Sequence, residues 1–199
     1  MFQKIAQTQT PIIDPLALRW SGRAYDANRP VESEKRLALL EAARWAPSCF
    51  GYQPWRFLMW DRSEESQAWR RAFECLAESN QSWAGHAPLL MLACADTQFA
   101  DGRPNRWCQY DTGAAVMSLS AQATALGLMV HQMGGFDAKK IRNEFAIPES
   151  FDCLAMIAIG YQLPREQVPE ELQERELAPR SRRELAESFF EGAWEQSAS

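Results

Sequence analysis

Two arginines with a serine between them are the first candidates for chemistry in this chain. The segment from Arg19 to Arg23 reads RWSGR and places two guanidinium groups four residues apart, ahead of a helix that Pro30 helps to start. Arginine presents a rigid fork of N–H donors that matches phosphate oxygens. A second basic-hydroxyl-basic triplet runs from Arg180 to Arg182. In a chain of net charge −5, two such triplets indicate a bound anion, although surface arginine pairs without a ligand are also common.

Two further segments could hold a flat ligand. Residues 45–55 read WAPSCFGYQPW, a mixture of turn formers and aromatic residues that could supply hydroxyl and backbone donors. The pair Gly134 and Gly135 follows an apolar segment, and consecutive glycines let the backbone approach a ligand closely and expose N–H groups. A tight turn without a ligand explains the glycine pair equally well. Together with the arginines, these segments predict a phosphorylated cofactor with a planar head.

The order of the motifs resembles that of the nitroreductase family of flavin mononucleotide (FMN) enzymes. That family shares an Arg-x-Ser-x-Arg/Lys opening, an Ala-Pro-Ser-Ser-x-Asn-x-Gln-Pro-Trp block and an Asp-x-Gly helix before Gly-Leu. It also shares a Gly-Phe-Asp turn, a strand ending in Ile-Gly and a basic C-terminal triplet. All six occur here in order, from Arg19 to Arg182. The resemblance implies an α+β fold, with a central, mostly antiparallel sheet flanked by helices, in an intertwined homodimer.

Carried over position by position, the resemblance implies a set of FMN contacts. Phosphate and ribityl contacts are expected from Arg19, Ser21, Arg180 and Arg182. Contacts to the ring and its edges are expected from Trp20 (mostly through its backbone), Arg23 at the N1–O2 edge, Asn80, Gln132, Met133, Gly134 and Gly135. The block beginning at residue 45 would reach the flavin of the partner subunit through Pro47, Ser48, Cys49, Gly51 and Gln53.

Several positions near this site leave alternatives open. Cys49 stands where the family has a second Ser and Gly51 where it has Asn; the thiol could donate weakly or be a small buried residue, and Gly51 would widen the pocket. His131 could donate a proton to reduced substrate or be a packed core residue. Trp107 and Tyr110 could shape a channel for flat substrates or stack against the partner.

Composition bounds the remaining possibilities. A length of 199 residues favours a single domain spanning 1–199, and the acidic balance gives no support for a nucleic-acid partner. The longest apolar run, Leu89–Ala95, is too short to cross a membrane, and the first eight residues lack a signal-peptide pattern. Five Cys without a Cys-x-x-Cys pair predict reduced thiols in a cytoplasmic protein, and two His argue against a multi-histidine metal site.

The hydrophobic pattern predicts alternating helices and strands. Four helices are expected, and the first starts at Pro30 and stops at Pro47, with Leu37, Leu40 and Ala43 inward. The second is capped by Ser63 and carries Trp69, Phe73 and Leu76 on one face. The third runs from Asp111 to Leu126 before a Gly127 cap, and the fourth is capped by Asp137. The expected strands are 55–60, 89–95 and 153–160. Residues 162–199 are acidic and Pro-rich, which indicates a disordered tail or an arm; the resemblance favours an arm that wraps the partner subunit and adds a strand to its sheet.

The resemblance implies an FMN-dependent oxidoreductase that works by ping-pong hydride transfer. NADH or NADPH would reduce the flavin at N5, and a small acceptor such as a nitroaromatic, quinone or enone would then take the hydride. The chain has no Gly-x-Gly-x-x-Gly fingerprint, which fits a nicotinamide that binds only transiently. Alternatives are a flavin-binding sensor or store without turnover, and a dehalogenase or flavin-fragmenting enzyme on the same scaffold.

Overall fold

A computed structural model of the chain describes residues 2–62 and 67–196. Within these ranges there are four strands and seven α-helices. The strands are β1 (Trp55–Asp61), β2 (Leu89–Asp96), β3 (Met129–Met133) and β4 (Phe151–Gly160). The helices are α1 (Asp14–Leu18), α2 (Ser33–Arg44), α3 (Gln67–Phe73), α4 (Glu78–Ala84), α5 (Cys108–Ala125), α6 (Ala138–Glu144) and α7 (Glu170–Leu177).

The four strands form one antiparallel sheet in the order β1-β2-β4-β3. Strand β2 is buried along nearly its whole length, as its continuous apolar run predicted for a strand covered on both faces. One face packs with α2 and α5, and the other packs with α3, α4 and α6. The prediction of a mostly antiparallel sheet flanked by helices is confirmed, and β1 and β3 are its two edges.

Helix α5 is the long element that fixes the geometry of the candidate site. It begins one turn earlier than the predicted Asp111 and ends at Ala125. Its inward residues Leu119 and Ala123 are fully buried, as their spacing predicted. Gly127 has a φ of +74° just beyond the helix, the left-handed conformation expected of a C-terminal glycine.

Helix α2 differs from the prediction in its start and in its inward face. It begins at Ser33 rather than at Pro30. Leu39 and Ala43 are buried, whereas Leu37 is 62% exposed, so the prediction that Leu37 faces the core is wrong. The reason is that α2 packs on α5 through positions four residues apart, 39 and 43, and residue 37 points away from that contact.

The other elements largely follow the sequence pattern. Asp137 caps α6, its Oδ1 accepting the Lys140 N–H at 2.8 Å, as predicted. The predicted cap at Ser63 lies outside the described residues. Leu76 is buried but lies beyond the end of α3, where it bridges to Phe136. None of the helices in the described ranges is long and apolar enough to span a membrane.

The C-terminal segment begins against its own chain. Gln162 forms a bridge with Tyr25, and Val168 and Glu176 are buried. Beyond residue 182 the chain is largely exposed, with Phe189 59% and Trp194 81% accessible. The wrapping of a partner subunit therefore stays a prediction, and it concerns mainly the part of the segment after residue 182.

Replacing Gly160 by Ala is expected to destabilise the fold by about 1–3 kcal/mol, the usual effect of overpacking a core. A Cβ at Gly160 would lie 2.5 Å from Pro88 Cδ and 3.0 Å from Tyr25 Cδ1. Gly85→Ala is the matched control, because its Cβ would meet the Phe73 ring at an ordinary 3.4 Å. Urea unfolding of both variants measures the effect; equal midpoints would contradict this packing argument.

Candidate cofactor site

A cluster of arginines lies where α1 ends. The Arg19 guanidinium donates to Ser21 Oγ at 3.3 Å. Burial lowers the pKa of Arg19, and repulsion from Arg182 lowers it further. Burial likewise lowers the pKa of Arg180, with repulsion from Arg19 and Arg182 adding to it. Among residues 2–62 and 67–196, no carboxylate forms an ion pair with any of these three arginines. Such an unneutralised cluster suits a dianionic phosphate.

Arg180 also ties the two ends of the chain together. Its Nη1 donates to the carbonyl oxygens of Lys4 at 2.5 Å and Ala17 at 2.8 Å. The guanidinium is therefore partly committed to backbone acceptors. Its predicted phosphate role rests on its remaining N–H groups, and Arg19 is the better placed of the two to meet a ligand.

The other end of the Arg19–Arg23 segment meets aromatic rings. The Arg23 guanidinium lies 5.7 Å from the Trp83 ring centroid. The centroid of the His131 ring lies 4.5 Å from the same Trp83 centroid. His131 Nδ1 lies 3.0 Å from the Gly22 carbonyl oxygen. Trp20 packs its side chain into the core, which is consistent with a mostly backbone contribution to the site.

The environment of His131 keeps its ring neutral. Burial lowers the pKa of His131 to about 4, and the nearby Arg23 and Arg19 lower it as well; the hydrogen bond that the Gly22 carbonyl accepts from the ring raises it in part. A neutral ring that donates from Nδ1 to Gly22 satisfies this geometry. At neutral pH the side chain is then not an imidazolium, which favours the packed-core interpretation over the proton donor.

The His131 ring is expected to titrate near pH 4 in the folded protein. Because this pKa lies below the ordinary 6.5, the neutral ring contributes stability in full above pH 6.5, and that contribution is lost as the pH falls through about 4. NMR of the imidazole protons measures the midpoint, and His131→Gln identifies the signal. A midpoint at or above 6.5 would show that the ring is not held in this environment.

The glycine turn after β3 offers backbone donors. The Gly135 carbonyl accepts from Ala77 N at 3.0 Å and from Asn80 Nδ2 at 2.9 Å. Within the described ranges, no hydrogen bond uses the N–H of Gly134 or of Gly135. A Cβ at Gly134 would find no atom within 4 Å, and the turn lines a cavity of about 510 Å³. The structure thus brings Asn80 to this turn, as the resemblance implied, and leaves the N–H groups of Gly134 and Gly135 without a hydrogen-bond acceptor among the described residues.

Gln132 behaves differently from its neighbours in β3. Its Nε2 lies 3.4 Å from Ser120 Oγ on α5, on the opposite side of the strand from His131. Alternation along a strand explains this, because successive side chains point to opposite faces. The Gln132 side chain therefore does not join the group around Arg23.

The block at residues 47–53 forms a tight exposed loop. Cys49 N donates to Asp111 Oδ2 at 3.0 Å, and Gln53 N donates to Ser48 Oγ at 3.0 Å. Phe50 and Gln53 both have a φ of +53°, and the Phe50 side chain is 96% exposed. Trp107 and Tyr110, at the same end of α5, are 41% and 78% exposed. A fully exposed aromatic side chain in a strained, well-tethered loop suggests a surface that meets another molecule.

The predicted site residues therefore fall into two sets that one chain keeps apart. We call set A the residues near β3 and the first arginines: Arg19, Trp20, Ser21, Arg23, Asn80, Gln132, Met133, Gly134, Gly135, Arg180 and Arg182. We call set B the loop and the start of α5: Pro47, Ser48, Cys49, Gly51, Gln53, Trp107 and Tyr110.

The length of helix α5 gives the separation between the two sets. The Cys49 N–H donates to Asp111 in the first turn of α5. Arg19 instead lines a cavity of about 200 Å³ together with Thr124 and Ala125, in the last turn of α5. From Asp111 to Ala125 the helix advances fourteen residues, a rise of about 21 Å. The sets also flank opposite edge strands, β3 and β1, roughly 14 Å apart across the sheet. A single chain does not bring the two ends of its predicted site together.

Comparison with known proteins identifies the fold. A sequence model of the Nitroreductase family matches residues 16–161. The chain belongs to the nitroreductase family. A solved structure described as an oxidoreductase containing FMN is 35% identical to this chain, covers 98% of each chain and superposes with a TM-score of 0.88.

Two further proteins with related functions are also similar to this chain. An FMN-dependent nitroreductase from Clostridium difficile is 26% identical, with 77% of this chain and 88% of that chain covered and a TM-score of 0.62. The major NAD(P)H-flavin oxidoreductase of Aliivibrio fischeri is 32% identical over 71 residues, which are 36% of this chain and 33% of that protein. The sequence-based assignment to the nitroreductase family is confirmed.

The sequence did not single out three residues that the structure places beside the predicted site residues. The Trp83 ring packs against both the Arg23 guanidinium and the His131 ring. Phe50 is the most exposed aromatic residue of the loop in set B. Glu176 lies buried under the Arg19–Arg23 segment. Phe50 could have been found from its place inside the family block, but nothing in the local sequence marks Trp83 or Glu176.

Proposed function

We propose that two copies of this chain form a homodimer in which each flavin lies between set A of one subunit and set B of the other. The observation that carries this is the separation of the two sets along α5 and across the sheet. The chain is an FMN-dependent NAD(P)H oxidoreductase of the nitroreductase family. A second copy supplies the half of the site that the same chain holds too far away.

The residues present fit FMN on chemical grounds. Arg19 and Arg182 supply cationic donors without carboxylate partners in the described ranges, which suits the phosphate. The N–H groups of Gly134 and Gly135, which donate to no acceptor in the described ranges, suit an acceptor nitrogen on the ring edge. Arg23 adds a positive charge, partly desolvated, that favours negative charge developing on a nearby group.

The reaction is a ping-pong relay from a nicotinamide to a second substrate. Bound FMN supplies the hydride acceptor and donor, so the protein needs no nucleophile of its own. The chain's residues bind and orient: set A fixes the cofactor, and the aromatic side chains of set B offer flat surfaces. These surfaces suit planar acceptors such as nitroaromatics, quinones or enones.

Mixed dimers test the composite site directly. Arg19→Ala disables set A, and Pro47→Trp places a large ring at an exposed position of set B. Co-expression with two different tags allows the mixed dimer to be purified. One of its two sites then combines both changes and the other combines neither. At an FMN concentration above the wild-type dissociation constant and below that of Arg19→Ala, the mixed dimer is therefore expected to bind one FMN and each variant homodimer much less.

Two results would contradict the proposal. A Pro47→Trp homodimer with full FMN content would mean that set B does not meet the flavin. A mixed dimer without FMN would mean that each site lies within one chain. Steady-state rates with NADH or NADPH and varied acceptor test the relay, because parallel double-reciprocal lines are expected of a ping-pong enzyme.

A further inference from the structure

Helix α7 contributes the most deeply buried carboxylate among the described residues. Glu176 is 1% exposed, although it comes from a segment rich in exposed charges. Burying an ionised carboxylate is costly unless hydrogen bonds compensate for the lost water. A carboxylate buried in this way is expected to accept a hydrogen bond that helps to hold another part of the structure in place.

That partner is the backbone of the Arg19–Arg23 segment. Glu176 Oε1 accepts the Arg23 N–H at 2.6 Å, and the backbone of Ala24 also stabilises the ionised carboxyl group. Among the residues that the structure describes, Glu176 Oε2 has no hydrogen-bond partner, and it lies 3.2 Å from the position that a Gly22 Cβ would occupy. The carboxylate therefore lies directly under the turn between the two arginines.

The charges around Glu176 are mainly positive. Lys4 Nζ donates to the backbone carbonyl oxygen of Glu176 at 3.0 Å. The positive charges of Lys4 and Arg23 both favour the ionised form of the carboxyl group. Burial outweighs these contacts and raises the pKa of Glu176. The folded protein thus buries this carboxyl group although its ionised form would be better solvated in water.

Two contacts on opposite sides hold the segment. The His131 ring holds the Gly22 carbonyl at 3.0 Å, and Glu176 holds the Arg23 N–H. Between them the Arg23 backbone is fixed, which directs its guanidinium to the face of Trp83. Loss of either contact would leave the arginine free to take other orientations.

We propose that Glu176 is a positioning residue for the flavin site, acting through the backbone of Arg23. The proposal rests on the proposed function, because it assigns to Arg23 a place beside the flavin. It also makes α7 part of the cofactor site, so that the first half of the C-terminal segment orders the site of its own subunit.

A pair of neutral substitutions isolates the hydrogen bond. Glu176→Gln and Glu176→Met remove the same charge and have similar volumes, but only Gln keeps a strong acceptor for the Arg23 N–H. The Met side chain is apolar and suits a buried position, so the variant is expected to fold, which far-UV circular dichroism checks. We expect Glu176→Met to bind FMN about tenfold more weakly than Glu176→Gln, the effect of losing one hydrogen bond of this kind.

Two further readouts separate positioning from general stability. The reduction potential of the bound flavin is expected to be lower in Glu176→Met than in Glu176→Gln, because Arg23 is no longer held in place. The amide proton of Arg23, observed by NMR without flavin, is expected to move upfield in Glu176→Met. Neither readout follows from a change in fold stability alone.

Each outcome decides the proposal. Weaker FMN binding and a lower potential only in Glu176→Met support it. Equal FMN binding by both variants, whether like the wild type or equally weakened, overturns it, because the hydrogen bond would then carry no effect. A wild-type chain that binds no FMN would instead overturn the proposed function, while the Arg23 amide shift would still report on the Glu176 contact.

Discussion

Arg19→Ala is expected to weaken FMN binding by about 10- to 100-fold while leaving riboflavin binding nearly unchanged. Hydrogen bonds to a charged group are each worth about 1.5–3 kcal/mol, and Arg19 belongs to a cation cluster without carboxylate partners in the described ranges. Riboflavin lacks the phosphate, so it loses nothing when the guanidinium is removed. Fluorescence quenching of each flavin on titration with apoprotein measures both dissociation constants.

Arg29→Ala is the control for this comparison. Its guanidinium lies 3.4 Å from the Tyr161 ring centroid, outside set A, so the variant loses a positive charge without touching the cluster. FMN binding should stay within about twofold of the wild type. An Arg19→Ala protein that loses FMN and riboflavin equally would show that Arg19 supports the fold of the site rather than the phosphate.

Arg23→Ala is expected to lower the reduction potential of the bound flavin by about 30–60 mV, equivalent to about 1.4–2.8 kcal/mol for a two-electron couple. Reduced flavin carries negative charge at its N1–C2 carbonyl edge, and a fixed, partly desolvated cation stabilises that charge. Arg23 is half-buried, so its charge is partly removed from water, and this burial lowers its pKa. The reduction by NAD(P)H should slow accordingly.

Arg23→Lys keeps the charge and is the matched variant for this prediction. We expect it to restore most of the potential, although an ammonium group is smaller than the planar guanidinium and lies differently over Trp83. Spectroelectrochemical titration measures the potentials, and stopped-flow absorbance measures the rates. An unchanged potential and rate in Arg23→Ala would mean that the guanidinium does not face the flavin.

The secondary structure was largely predictable because local patterns determine it. The continuous apolar run of β2, the three- and four-residue spacing in α5 and the Asp137 cap of α6 each have one main structural solution. Leu37 shows the limit of this approach. Its spacing fits a helix face, but only the position of α5 decides which face is covered.

The grouping of the candidate site residues was predictable where chemistry and chain order coincide. Arg19, Ser21 and Arg23 lie in one short segment, so the sequence already placed them together. The resemblance named both Asn80 and the glycine turn, and the structure joins these two through the Asn80–Gly135 hydrogen bond. Glu176 could not be predicted, because it reaches Arg23 across 153 residues and its local sequence is typical of a solvated acidic helix. The separation of sets A and B is likewise a property of the packed fold.

Anaerobic titration of the purified protein with NADH and with NADPH, followed by visible absorption, tests the central claim most directly. We predict flavin bands with one FMN per chain, rapid bleaching by at least one of the two nicotinamides, and recovery of the bands on adding a quinone or nitroaromatic. Bands that persist with both nicotinamides would favour a flavin-binding sensor or store. A protein that shows no flavin bands, even after incubation with FMN and gel filtration, would contradict the account.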